Sequence, residues 1–182
     1  MIKYYKNFLT KEELTGVIEY MEFCFFEQRK SRTKPDPQVK GSLCMYSDPV
    51  MNYFLCSKKK IVEKIFNKKL LPTYSFSRLY GKDQELIKHK DRKACEISLT
   101  LNIWQDISWP IFMVDKPYHC KPGDAILYEG GKYYHWREKY KGETCCQIFM
   151  HYVDANGPNT DQAYDGAENL TYPRKIYEKW SK

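Results

Sequence analysis

Histidine is scarce in this chain. Only His89, His119, His135 and His151 occur in 182 residues, so any imidazole site must draw on a short roster. Cysteines are present without a pattern. The seven, at 24, 44, 56, 95, 120, 145 and 146, include no Cys-x-x-Cys pair. That argues against a zinc site or a disulfide framework and for a reducing compartment. No apolar run approaches the ~20 residues that cross a bilayer. No apolar stretch follows the opening Met1–Lys6 either. These absences predict a cytoplasmic protein without a leader or a membrane partner. Internal repeats, low-complexity segments and linkers are also missing, which predicts a single domain over 1–182. The formal charge of +7 gathers in lysines at 58–60 and 68–69. No RNP, zinc-finger or Arg-rich recognition motif accompanies them, so nucleic acid stays open as a partner without being favoured over a solvated helix face.

Two halves of different periodicity are present. Thr10 and Glu13 form a capping box, Thr-x-x-Glu. Leu14, Val17, Ile18, Met21 and Phe25 then recur at helical spacing, which predicts a helix from Thr10 to near Arg29. Residues 31–38 are basic with two prolines and read as a loop. Leu43–Tyr46 suits a short strand. Asp48-Pro49 is an N-cap followed by a first-turn proline, so helices are expected over about 49–56 and 58–68. In the second of these, Ile61, Val62, Ile65 and Phe66 face inward. About 10–70 is thus a helical support.

From Thr73 the pattern alternates. Cys95, Ile97, Leu99, Leu101 and Ile103 interleave with Glu96, Ser98, Thr100 and Asn102. One reading is a half-exposed antiparallel strand. The preferred one is a barrel strand whose apolar face packs on the helices while its polar face lines a cavity. Further strands are expected at 109–114, 124–128 and 145–153, with Pro122-Gly123 as a turn and Gly130-Gly131 as another. Cys145 and Cys146 should fall on opposite faces. The tail, 157–182, is polar and turn-rich, with a short helix over 174–182. Helices followed by about eight short strands imply an α+β fold.

Within the alternating half lies His89-Lys90-Asp91. In an extended segment, residues two apart share a face, so His89 and Asp91 can reach one ion while Lys90 points away. His135, in Tyr134-His135-Trp136-Arg137-Glu138, supplies a third candidate. Two imidazoles and one carboxylate with open positions form the facial triad of non-haem Fe(II) oxygenases.

The motifs occur in a telling order. Arg78-Leu79-Tyr80 precedes His89-Lys90-Asp91-Arg92, then come Cys95-Glu96-Ile97-Ser98, Pro122-Gly123-Asp124, His135-Trp136-Arg137-Glu138 and Gln147-Ile148-Phe149-Met150-His151-Tyr152-Val153. Over 73–156 this order resembles the Fe(II)/2-oxoglutarate-dependent dioxygenases, and among them the prolyl 4-hydroxylase-like group. The resemblance implies a double-stranded β-helix backed by the N-terminal helices. It also implies Fe(II) on His89, Asp91 and His135, with 2-oxoglutarate and O2 as cosubstrates. The activity implied is hydroxylation of a substrate C–H, a prolyl residue in a peptide or protein being the first expectation and a free amino acid or other small molecule the second. A non-enzymatic nucleic-acid-binding module on the same barrel is the third.

The pattern departs from the family at one point. Relatives carry Arg or Lys on the strand after the distal histidine, to hold the far carboxylate of 2-oxoglutarate. Here Thr144, Cys145, Cys146 and Gln147 stand there. Arg78 is the first candidate for that role, with Arg92 and Arg137 as rivals. Tyr80 and Thr100 match positions of hydroxyl donors to 2-oxoglutarate. Arg92, Arg137 and His151 are candidates for substrate or supporting contacts, and Arg137 and Glu138 have the alternative of pairing with each other. His119, in a turn sequence, is not expected to be a ligand.

Overall fold

The structure, a computed structural model, describes residues 1–166; the helix expected over 174–182 lies outside the described residues. A first strand, β1 (Ile2–Tyr5), has no counterpart in the sequence reading. Thr10 then opens α1 (Lys11–Glu22) with both bonds of the capping box. The Glu13 N–H donates to Thr10 Oγ1 at 3.2 Å and the Thr10 N–H to Glu13 Oε2 at 2.8 Å. The helical path widens into a π turn over Phe23–Glu27, which buries Cys24 and Phe25, and finishes in α2 (Arg29–Arg32).

The segment read as a loop is tied down. Its β2 (Lys34–Pro35) pairs antiparallel with β3 (Leu43–Tyr46). Asp48 caps α3 (Pro49–Ser57) by accepting from the Val50 and Met51 N–H groups. The next helix, α4 (Lys59–Phe66), stops where Asn67 turns left-handed at φ 52°. Its basic flank is partly neutralised locally: Lys58 meets Glu13 at 2.6 Å, Lys59 meets Glu63 at 2.8 Å and Lys68 meets Asp154 at 2.6 Å.

The remaining strands are β4 (Leu70–Gly81), β5 (Leu86–His89), β6 (Ile97–Gln105), β7 (Ile111–Met113), β8 (Lys116–Tyr118), β9 (Ala125–Tyr128), β10 (His135–Arg137) and β11 (Thr144–Asp154). Among the described residues they form two antiparallel sheets, ordered β1-β9-β6-β11-β4-β3-β2 and β5-β10-β7-β8. This is an α+β double-stranded β-helix.

The alternation of β6 does what its pattern implies. Ile97, Leu99, Leu101 and Ile103 join Cys146, Ile148, Met150 and Tyr152 of β11 in one core with Val17, Met21, Met51 and Val62 of the helices. Burying each such aliphatic side chain contributes ~1.5–3 kcal/mol. The other faces of β6, β11 and β4 turn Ser98, Thr100, Asn102, Gln147, His151 and Arg78 inward, all of them buried. Cys145 and Cys146 do part company, Cys145 packing with Tyr80, Trp109 and Tyr140. Cys95 departs from the expected stripe. It closes a 3-10 turn (Lys93–Cys95) and packs with Tyr74 and Ala94, away from the helical core.

Candidate active site

Two chain segments bring the metal-ligating candidates together. β10 pairs with β5 so that His135 stands opposite His89, and Asp91 follows directly beyond β5. His89 Nε2 lies 3.5 Å and His135 Nε2 3.4 Å from the same oxygen, Asp91 Oδ1. The imidazole centroids are 4.3 Å apart. A first-row ion with ~2.1 Å bonds holds adjacent ligand atoms ~3 Å apart, so the three donors fit one ion with a small inward adjustment.

The imidazole tautomers suit that role. His89 Nδ1 faces the Ile87 carbonyl oxygen at 2.8 Å and His135 Nδ1 the Tyr133 carbonyl oxygen at 3.1 Å. A carbonyl only accepts, so each Nδ1 carries the proton and each Nε2 lone pair is left for the shared centre. Burial alone would raise the Asp91 carboxyl. The His135 and His89 imidazoles that face it outweigh that and hold it well below the usual carboxylate range, hence ionised.

Asp91 is also held from behind. Ser98 Oγ lies 3.2 Å from Asp91 Oδ2 and 2.8 Å from His151 Nδ1. Burial pushes the His151 pKa down to about 4, so the ring is neutral. With its proton on Nδ1 donated to Ser98, the serine hydroxyl is left to donate to Asp91 or to the Cys95 carbonyl oxygen 3.1 Å away. Gly130 closes in from the other side. The Asp91 N–H donates to the Gly130 carbonyl at 3.0 Å, and a methyl on Gly130 would collide with Asp91 Oδ2 and the Cys95 carbonyl oxygen.

A cavity of about 300 Å³ opens over the triad, walled by Tyr74, Phe76, Arg78, Arg92, Phe149 and His151 among others. Arg78 lines it but has its charge matched. Nε donates to Asp36 Oδ2 at 2.6 Å, Nη2 to Asp36 Oδ1 at 3.3 Å and Gln38 Oε1 at 2.8 Å, and Nη1 to the Tyr80 hydroxyl at 2.8 Å. This fork–fork pair with Asp36, both partners buried, ties the 34–42 segment to the barrel. Arg78→Met is expected to destabilise the fold by ~3–5 kcal/mol, because Asp36 would keep a buried, unpaired charge. Urea unfolding checks this, and a loss under ~1 kcal/mol would show the pair to be dispensable.

Arg137 is the opposite case. It is 2% exposed, yet no carboxylate among the described residues pairs with it. Nη1 donates to the Trp109 carbonyl at 2.8 Å and Nη2 to Gln147 Oε1 at 3.2 Å, while Nε is buried with no partner. No ion pair joins it to Glu138 among the described residues. Thr100 donates to the same Gln147 oxygen at 3.2 Å. Burial raises the Cys145 thiol to about 11, against the opposing influence of the nearby Arg137 charge. His119 is placed apart, its Nδ1 2.9 Å from Ser108 Oγ. Asp36, Gln38, Ser98, Trp109 and Gln147 were not singled out for the site from the sequence. Ser98 carried a signal in its place on the polar face of β6, and Gln147 in sharing a strand face with His151.

No protein-family model matches the chain, and no curated protein matches it. Its fold is that of the Fe(II)/2-oxoglutarate oxygenases. A prolyl-4-hydroxylase from Pseudomonas putida is 12% identical with a TM-score of 0.66, the match covering 84% of this chain and 92% of that one. A prolyl hydroxylase from Trichoplax adhaerens, solved with a hypoxia inducible factor oxygen degradation domain peptide fragment, is 12% identical at TM-score 0.63, covering 84% and 83%. The non-heme alpha ketoglutarate dependent epimerase SnoN of nogalamycin biosynthesis is 10% identical at TM-score 0.67, covering 85% and 78%. No helix of the described residues is long and apolar enough to cross a membrane.

Proposed function

We propose that this chain is an Fe(II) dioxygenase that couples oxidative decarboxylation of 2-oxoglutarate to hydroxylation of a substrate C–H bond. The observation that carries the proposal is the convergence of His89 Nε2, His135 Nε2 and Asp91 Oδ1 on one point at the floor of a cavity. Fe(II) on that donor set, with 2-oxoglutarate and O2, would supply the oxidising chemistry. The residues of the chain do the positioning. Ile87 and Tyr133 fix the imidazoles, and Ser98 with His151 orients Asp91. Arg137 would hold the far carboxylate of 2-oxoglutarate, with Thr100 and Gln147 beside it; its orphaned Nε and unmatched charge fit an anionic ligand. Arg78 would serve through Asp36, by fixing the cavity wall.

Two substrate readings follow. Hydroxylation of a prolyl residue in a peptide or protein draws support from the neighbouring prolyl hydroxylases, one of them with a bound peptide. Oxidation of a free amino acid or other small molecule is favoured by the cavity, whose volume of about 300 Å³ lies at the small end for ligand sites and must also take 2-oxoglutarate. The test is succinate formation with Fe(II), 2-oxoglutarate and O2 against proline-rich peptides, free amino acids and single-stranded DNA. Mass spectrometry should find one added oxygen on the stimulating substrate. Absence of succinate from iron-loaded protein across the panel would refute the proposal.

A further inference from the structure

At the rim of the cavity an arginine holds a carboxylate that comes from the chain itself. Arg92 follows the ligand candidate Asp91 and lines the same cavity as Tyr74. Its Nη1 lies 2.7 Å from Asp165 Oδ1, and its guanidinium carbon lies 4.7 Å from the centre of the Tyr74 ring. Tyr46 stacks on the far portion of this platform, 4.9 Å from Tyr74 between centroids, and its hydroxyl donates to Asp165 Oδ2. Each carboxylate oxygen thus has its own donor, a guanidinium for one and a phenol for the other, over an aromatic floor.

The segment that delivers Asp165 is held at some cost. Tyr164 and Asp165 are successive left-handed residues, with φ of 56° and 51°. Neither is glycine, the residue that takes this conformation without a Cβ penalty. Meanwhile the Arg92 side chain keeps half of its surface exposed. The other arginine of the cavity, Arg78, is spent on buried Asp36. Arg92 is therefore the cavity arginine that stays half-exposed beside its acid partner.

We infer that Arg92, Tyr46 and Tyr74 form a carboxylate subsite for the substrate, which Asp165 occupies in the free protein and an incoming ligand takes over. The ligand class is a small molecule of amino-acid size bearing a carboxylate. Arg92 lines the same cavity as His89, Asp91 and His135, so an acid gripped by Arg92 brings its nearby carbons toward the triad. A cavity of about 300 Å³ that must also take 2-oxoglutarate suits a small molecule. The inference rests on the oxygenase reading for its catalytic meaning. A closed latch lowers apparent affinity by the fraction of molecules in which it is open.

The experiment uses the full chain with Mn(II) and 2-oxoglutarate, without oxygen, in the parent and in Asp165→Asn. Mn(II) and 2-oxoglutarate binding are measured first, so failure of the oxygenase reading shows at that stage. The twenty free amino acids and their carboxamides are then titrated by calorimetry, and the same titration is run on metal-free protein. At least one acid is expected to bind in preference to its amide, about tenfold tighter to Asp165→Asn than to the parent. Arg92→Gln in the Asp165→Asn background should abolish that preference. Three results would overturn the inference: equal affinities in parent and variant, no acid-over-amide preference, or tighter binding of end-blocked peptides than of any free amino acid. If Asp165 is only a brace, Asp165→Asn lowers the melting temperature and changes no affinity, which equally overturns it.

Discussion

Replacing Asp91 with alanine is expected to abolish metal binding while the protein stays folded. The carboxylate oxygen of Asp91 is the one atom that both candidate imidazole nitrogens approach, at 3.5 and 3.4 Å. Without it two neutral imidazoles remain, and two neutral donors compete poorly with water for a divalent ion. Loss of a supporting contact to a metal ligand commonly costs 10–100-fold in affinity, so loss of the ligand itself should exceed about 100-fold. The fold should survive because Asp91 belongs to none of the apolar clusters, and the helical core lies on the other side of the large sheet. Mn(II) titration followed by electron paramagnetic resonance measures the first expectation, and circular dichroism with a thermal melt the second. Unchanged stoichiometry in a folded Asp91→Ala protein would remove His89, Asp91 and His135 from the proposed centre.

The parts of this architecture that follow local rules were legible in the sequence. A capping box, an Asp-Pro cap and a strict polar–apolar alternation each act within a few residues, and Thr10, Asp48 and β6 behave as those rules require. What escaped was decided across the chain. β1 has no internal pattern strong enough to mark it and exists because β9 offers an edge, Tyr4 standing opposite Ile126. β8 was hidden by its turn. Val114 and Asp115 both adopt positive φ, at 50° and 60°, and a β-branched valine is a residue that propensity would keep out of such a turn. The two buried arginines, Arg78 and Arg137, were separated by the same kind of long-range fact. Arg78 shares a strand face with Tyr80, which the sequence displays, but its partner Asp36 lies 42 residues away in a segment that reads as a loop. Strand parity tells which way an arginine points; it does not tell which acid meets it there.

That distinction leads to the expected behaviour of Arg137. Arg137→Met should weaken 2-oxoglutarate binding by ~2–5 kcal/mol, at least about 30-fold, with metal affinity unchanged. Three facts support the size. The guanidinium is almost fully buried, so its field is little screened. Its donors meet only the neutral oxygens of Trp109 and Gln147, and its face the Trp109 ring at 4.9 Å, so no carboxylate among the described residues matches the charge and Nε has no partner. His135 and Arg137 are two residues apart on one strand face, ~6–7 Å along the strand, a separation that suits an acid chelated at one end and gripped at the other. Arg137→Lys should fall between the two, retaining charge but not the planar fork. Anaerobic calorimetry of the Mn(II)-loaded proteins supplies the dissociation constants without relying on turnover. Arg78→Met is the comparison that decides the matter. It should lower stability sharply while changing the 2-oxoglutarate dissociation constant less than Arg137→Met does. If the larger rise follows loss of Arg78, the spare Nη1 hydrogen of that arginine is the true anchor, and Arg137 is left as a buried charge matched by carbonyl and amide dipoles and by the Trp109 ring, 4.9 Å from its guanidinium carbon.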